Sequence, residues 1–409
     1  MTKDYSPFTP GVPVPVEFFV GRGDEIRRLE TKVAQATTGR IQVAFLSGER
    51  GIGKSSLAAF VRQLVEKQHQ MLGLHVLLGG VSSLTEMVHR VFDKLLNESV
   101  DRKWYEKTLE FFGDHVTKVG LFGINLELKA NPEDLQHMVR HFAPALRQLC
   151  RKLQDEKKGL LIVLDDINGL ASSEEFANWL KSLVDEIATS GEPLPLCLFL
   201  VGLDERRQSL MRLQPSLGRI LDPFEIRAWT EDETREFFAN TFAEVGVPVD
   251  EEALADLAAW AGGLPMLAHE IGDAVFRTDT DGHIDEDDVM AGAVNAAEIV
   301  GRKHLEMRVL QAIRSDRYRS IIAKMHEVNL HFTRAEVRAL LDPDERKVFD
   351  SFLSKMVELG VLVREPEGAA GSYRFHTLLH WFLFDIEAER HAESRRGPTQ
   401  AEPGIRGHP

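Results

Sequence analysis

Gly48-Glu49-Arg50-Gly51-Ile52-Gly53-Lys54-Ser55-Ser56 follows the apolar run Gln42–Leu46 and opens a helical pattern that continues to Gln68. Two glycines separated by four residues, then Lys and Ser, allow a loop tight enough for its backbone N–H groups to converge on an anion at a helix start. In that setting Lys54 can bridge the β- and γ-phosphates of a nucleotide, and Ser55 can hold Mg²⁺. Glu49, Arg50, Ile52 and Ser56 complete the wrap.

A second segment completes such a site. Leu160-Leu-Ile-Val-Leu164 reads as a strand buried on both faces, and Asp165-Asp166 closes it at the carboxyl end, where open α/β sheets bind ligands. Asp165 is then the Mg²⁺-side acid, and Asp166 orients or deprotonates an attacking water.

Working outward, apolar runs at Gln42–Leu46, Leu74–Leu78, Leu160–Leu164 and Leu196–Val201 alternate with helical stretches at Ser55–Gln68, Ser83–Leu96, Asp134–Leu153 and Ser173–Ser190. That alternation predicts an α/β domain with a central parallel sheet over residues 18–228. His115–Ala130 breaks it and reads as an inserted β-hairpin, either a structural cover or dimer edge, or a surface that touches a partner or DNA. Residues 1–17, with four prolines, predict an extended arm. After Thr230 the pattern is wholly helical (Glu231–Phe242, Glu251–Ala261, Pro265–Phe276), which predicts a helical lid over 229–300.

From about Gly301 a last unit follows. A helical pattern at Phe332–Leu341, a turn at Asp342-Pro343, a longer helix at Glu345–Leu359 and a hairpin from Gly360–Arg364 to Ser372–Phe375 predict a winged helix over 301–390. Its candidate DNA-contacting cations are Arg346, Lys347, Lys355, Arg364 and Arg374, with Asp344, Glu345, Asp350, Glu358, Glu365 and Glu367 standing against them. Residues 391–409, rich in Gly, Pro and charge, predict a disordered tail.

With 409 residues, 43% apolar and 28% charged, the chain has the composition of a soluble protein of two or three domains. Its net charge of −15 argues against coating nucleic acid by bulk electrostatics. The longest apolar run, Leu194–Leu203, is about half of what spans a bilayer, so no membrane association is expected. The amino terminus lacks a secretory pattern, which gives a cytoplasmic expectation. Cys150 and Cys197 read as core thiols. His137 and His141, four apart on a helix, read as a solvated face, because no Glu follows the first and no third ligand is apparent.

Phe19-Val20-Gly21-Arg22 with Asp24-Glu25, the loop at 48–55, the Asp165-Asp166 pair and Gly263-Leu264-Pro265 occur in that order. In this the chain resembles the AAA+/STAND class of P-loop ATPases, similar to bacterial and archaeal origin-recognition-like ATPases. The resemblance implies ATP or ADP with Mg²⁺ as ligands, Val20, Gly21 and Arg22 lining an adenine pocket, and Pro265 near the base or sugar. It also implies that Arg219 reaches a nucleotide, often across a subunit boundary. The implied partners are a homo-oligomer, double-stranded DNA through the winged helix, or a protein. Two departures stand out. Asp166 is one methylene shorter than the Glu of many AAA+ enzymes, which implies slow hydrolysis. After Leu196–Val201 comes Gly202-Leu203-Asp204, with no Asn, Ser or Thr to sense the γ-phosphate. Three functions remain: an ATP-driven switch or assembly protein, an ATP-dependent DNA-binding initiator or transposition regulator, and an ADP-holding partner-binding module.

Overall fold

Runs of Leu, Ile, Val and Phe with no charge inside them can only be satisfied as strands covered on both faces. In the computed structural model four such segments and a short edge strand form one parallel sheet in the order β2-β5-β6-β1-β7: β1 (Gln42–Ser47), β2 (Leu72–Leu77), β5 (Leu160–Asp165), β6 (Leu196–Val201) and the edge strand β7 (Asp222–Glu225). The structure describes residues 5–12, 21–98, 116–119, 125–128, 132–300, 316–325, 327–365, 371–384, 386 and 388. Contacts divide the chain into two units, Pro13–Arg227 and Ala228–Pro409 with Met1–Val12.

In the first unit, helices α1 (Gly23–Ala36), α2 (Lys54–Gln68), α3 (Leu84–Glu98), α4 (Pro132–Arg140), α5 (Phe142–Leu153), α6 (Glu174–Thr189) and α7 (Asp204–Leu213) accompany the sheet. Leu164, Phe92, Leu146, Phe176 and Leu198 share one core cluster. The inserted hairpin is present as β3 (Val116–Val119) and β4 (Asn125–Leu128), antiparallel, with Val116 opposite Leu128. Its turn lies outside the described residues.

Two features depart from the sequence reading. The single helix expected over Asp134–Leu153 is two, broken at His141 (φ −110°). Pro144 has no N–H for the ladder, and its ring would collide with the carbonyl of Arg140, which forces the break. Strand β7 had no strand signature because Pro223 sits in it. Proline is tolerated there because β7 is an edge strand, paired only with β1.

In the second unit, α8 (Glu231–Glu244), α9 (Glu251–Ala261), α10 (Pro265–Thr278) and α11 (Glu286–Val300) form the helical part. A capping box of Thr230 and Glu233 starts α8. Residues 5–12 are not a free arm. Phe8, 4% exposed, packs against Phe237, Phe242 and His269, over Gly272, where a Cβ would lie 2.3 Å from its ring. The Thr9 N–H donates to His269 Nδ1 at 3.1 Å, and burial pushes that imidazole down to about 4, which keeps Nδ1 an acceptor.

The C-terminal part runs α12 (Asp316–Met325), β8 (His331–Thr333), α13 (Arg334–Leu340), α14 (Pro343–Arg346), α15 (Phe349–Glu358), β9 (Leu362–Arg364) and β10 (Ser372–Phe375). Its antiparallel sheet has the order β8-β10-β9. Two expectations change here. Phe332 is in a strand rather than a helix, pairing with Tyr373, and the helix begins after the Thr333 cap. The longer helix expected over Glu345–Leu359 is interrupted around Lys347 and Val348. Most of the Gly368–Gly371 turn, residues 301–315 and the expected tail at 391–409 lie outside the described residues.

Candidate active site

Sheet register brings the two acidic and basic halves of the site to one level. Leu46 and Asp165 are both aligned with Val201 of β6, from opposite sides. With strands spaced by about 4.8 Å, the end of β1 and the end of β5 are therefore roughly 10 Å apart, with the 48–55 loop rising from the first.

The loop needs its glycines. Gly53, φ 90°, is the N-cap of α2. At Gly48 a Cβ would lie 2.6 Å from the carbonyl oxygen of Ile226, so the loop passes too close to backbone for any side chain. Lys54 Nζ donates to the Gly48 carbonyl at 2.8 Å and the Glu49 carbonyl at 2.6 Å. Burial pushes this ammonium down from 10.5 to about 8, with Asp165 and Asp166 pulling it back up and Arg50 opposing them. Ser55 and Ser56, at the start of α2, are half-buried.

Arg22 is held by protein groups on both sides of the loop. It is 4% exposed, with a left-handed backbone at φ 65°. Its guanidinium donates to the carbonyls of Arg227 and, at 3.2 Å, Ile52, and lies 3.5 Å from Glu25. It thus clasps the phosphate loop to the end of β7. Gly21 precedes it with φ 73°, and Val20 lies outside the described residues. Pro265 is buried at the first position of α10, in the other unit. Arg219 ends the short turn Pro215–Arg219, exposed. Among the described residues no carboxylate forms an ion pair with it.

Asp165 is 3% exposed, and its Oδ2 lies 2.8 Å from His75 Nε2. His75 sits on β2 two residues before Leu77, which is paired with Asp165, so strand alternation puts both side chains on one face. Sequence reading missed His75. The available signal was one polar residue inside the otherwise apolar Leu72–Leu77. Asp166 is exposed with φ 58°. Asp and Asn tolerate that left-handed backbone better than Glu, which gives a physical reason for the shorter acid here.

The donors match Mg²⁺. Ser55 and Asp165 are hard oxygen ligands, and Mg²⁺ takes one or two carboxylates with phosphates and water rather than an all-protein cage. Among the described residues no group of three or more His, Cys, Asp or Glu gathers around a metal position. A cleft of about 630 Å³ opens beside Ser47, between Asp204, Arg207, Glu225 and Arg227, and its lining carries four carboxylates against three guanidiniums. That lining has no cationic excess to attract a triphosphate.

Residues 19–201 match the family described as AAA ATPase domain. Beyond that segment the whole chain is similar in fold to a Walker-type ATPase of Pyrococcus abyssi (17% identity, TM-score 0.58, covering 94% of this chain and 100% of that one). It is also similar to the Aeropyrum pernix ORC2 protein in ADPNP and ADP complexes (15% identity, TM-score 0.56, covering 96% and 97%). No curated protein matches the sequence. Among the described residues no helix is long and apolar enough to cross a membrane.

If Lys54 meets bound phosphates, its depressed pKa predicts a pH dependence of nucleotide binding with a definite sign. Bound phosphates stabilise the charged ammonium and raise its pKa above the value of about 8 it has without them. Below pH 8 the lysine is already charged and binding takes up little proton. Above it each bound nucleotide takes up a proton, so affinity falls with rising pH by up to about tenfold per unit. Calorimetry in buffers of different ionisation heat should show proton uptake only on the alkaline side. A flat affinity across pH 8 would remove Lys54 from the phosphate contact.

Proposed function

We propose that this chain is an ATP-hydrolysing AAA+/STAND-like switch or assembly ATPase of the cytoplasm. The observation that carries the reading is the common level of the 48–55 loop and of Asp165-Asp166 on the sheet. Loop N–H groups and Lys54 hold the β- and γ-phosphates, while Ser55 and Asp165 would hold Mg²⁺. When bound, that ion would supply positive charge to neutralise charge developing on the phosphates. Asp166 orients a water and accepts its proton as the water oxygen bonds to the γ-phosphorus. The bond to the bridging oxygen breaks, and ADP leaves with that electron pair. The short acid and its exposed carboxylate support slow turnover. The intact Lys54, Ser55, Asp165 and Asp166 speak against a module that only holds ADP, and the ADPNP and ADP complexes of the ORC2 relative support nucleotide binding.

DNA binding by the C-terminal unit, read as a winged helix, has less support. Lys347 pairs with Asp344 at 2.7 Å and Lys355 with Glu358 at 2.9 Å. Arg346 donates to the Arg338 carbonyl at 3.1 Å, and Arg374 to the His376 carbonyl at 3.1 Å. Such pairs are weak individually, but each must be given up before the cation can serve a phosphate. A switch element facing a protein, including another copy of the chain, suits this mixed surface better.

Arg219 is the test of assembly. Exposed and, among the described residues, without a carboxylate partner, it is available to a γ-phosphate held by a neighbouring copy, an interaction that exists only with ATP. ATP should therefore favour higher-order species and ADP should not. Arg219→Ala should lose that response while binding ATP as before. Sedimentation of both proteins with ATP, ADP and no nucleotide measures it. Identical mass in every condition would leave a monomeric switch, and assembly that needs duplex DNA would favour the initiator-like reading.

A further inference from the structure

The hydrolysis reading leaves unexplained how Asp166 is aimed, since the residue is exposed and burial does not fix its carboxylate. Asn168, half-buried, lies two residues on. Its Nδ2 donates to Asp166 Oδ1, and its Oδ1 accepts the Leu203 N–H at 3.3 Å. A carboxylate only accepts and a backbone N–H only donates, so the partners themselves set the direction of this amide. Both ends of the bridge are tied to the sheet. The Ile167 N–H donates to the Val201 carbonyl at 3.1 Å, and the Gly202 N–H to the Leu46 carbonyl at 3.1 Å.

Position 202 borders the same amide. A Cβ there would begin 3.4 Å from Asn168 Oδ1 and 3.4 Å from the Phe45 ring, so Asn168 lies in contact with the end of β6, where Gly202 brings no polar side chain of its own. On the other side, Asp166 Oδ2 lies over Gly79, 3.3 Å from where a Cβ would be. One carboxylate oxygen is engaged by the amide, and the other is left over a residue with no side chain.

We infer that Asn168 is a positioning residue for ATP hydrolysis. It holds Asp166 Oδ1 so that Oδ2 faces the attacking water. This rests on Asp166 being the hydrolytic acid. Asn168 acts through Asp166 and does not touch the phosphates.

The alternative is that Asn168 merely caps the N–H of Leu203 ahead of α7. Asn168→Asp separates the two roles, because the carboxylate keeps the acceptor for Leu203 and loses the donor to Asp166. The measurements are ATP affinity by calorimetry and single-turnover phosphate release at saturating Mg-ATP. They are made on the full chain, on Asn168→Ala, Asn168→Asp and Asp166→Asn, and on the Asp166→Asn/Asn168→Ala double variant. Both single Asn168 variants should bind ATP as wild type does and release phosphate about ten- to a hundredfold more slowly. The double variant should be no slower than Asp166→Asn alone, because two groups acting as one do not add. Asn168→Asp at the wild-type rate would reduce Asn168 to a cap and overturn the inference. So would a full Asn168→Ala effect that persists in the Asp166→Asn background. If Asp166→Asn is slow while both Asn168 variants are fast, only this inference falls. If Asp166→Asn itself runs at the wild-type rate, the hydrolytic reading of Asp166 falls and takes the inference with it.

Discussion

Lys54→Ala should lose tight ATP binding while keeping the fold. In the proposed reading the ammonium meets the β- and γ-phosphates, and hydrogen bonds from a charged donor contribute about 1.5–3 kcal/mol each. Losing contacts to two phosphates therefore weakens binding by about a hundredfold or more. Folding should not suffer. Lys54 is the first residue of α2, alanine is the best helix former, and the substitution removes an ammonium that burial already destabilises. Calorimetry with ATP and a thermal melt on the same sample separate the two effects. Unchanged affinity would mean that residues 48–55 are not the phosphate site, and a collapsed melting temperature would mean that Lys54 holds the loop rather than the ligand.

Asp166→Asn should bind Mg-ATP normally and turn it over about a hundredfold more slowly or worse, the range expected when a positioned base is removed. The substitution is conservative in every other respect. Asparagine tolerates the φ of 58° as well as aspartate does, and its oxygen can still accept from Asn168. Asp165, which Lys54 and His75 face, is untouched. Undiminished phosphate release would move the base elsewhere.

How much of this was legible in the chain depends on how far apart the interacting residues lie in sequence. The phosphate loop is contiguous, and β5 announces itself by five apolar residues followed by two acids, so both could be read directly. His75 could not be connected to Asp165, because the two are 90 residues apart and only the pairing of β2 with β5 joins them. The contacts of the Arg22 guanidinium could not be read either, because the carbonyls it meets are 30 and 205 residues away. Asn168 is close to Asp166 in sequence, yet its meaning depends on Leu203 and on the missing side chain at Gly202, both brought in by β6. Local chemistry also misled. Pro223 concealed an edge strand, Pro144 divided a periodic helix, and the three-residue strand at Phe332 was too short to show a period.

Phosphate release from Mg-ATP by the purified chain, without DNA or partner and beside Lys54→Ala and Asp166→Asn, tests the proposed function most directly. Slow release by the wild type, absent from Lys54→Ala and strongly reduced in Asp166→Asn although that variant still binds ATP, is the expected result. Release at equal rates from all three proteins, or none from wild type with ATP demonstrably bound, would contradict an ATPase built on Lys54 and Asp166.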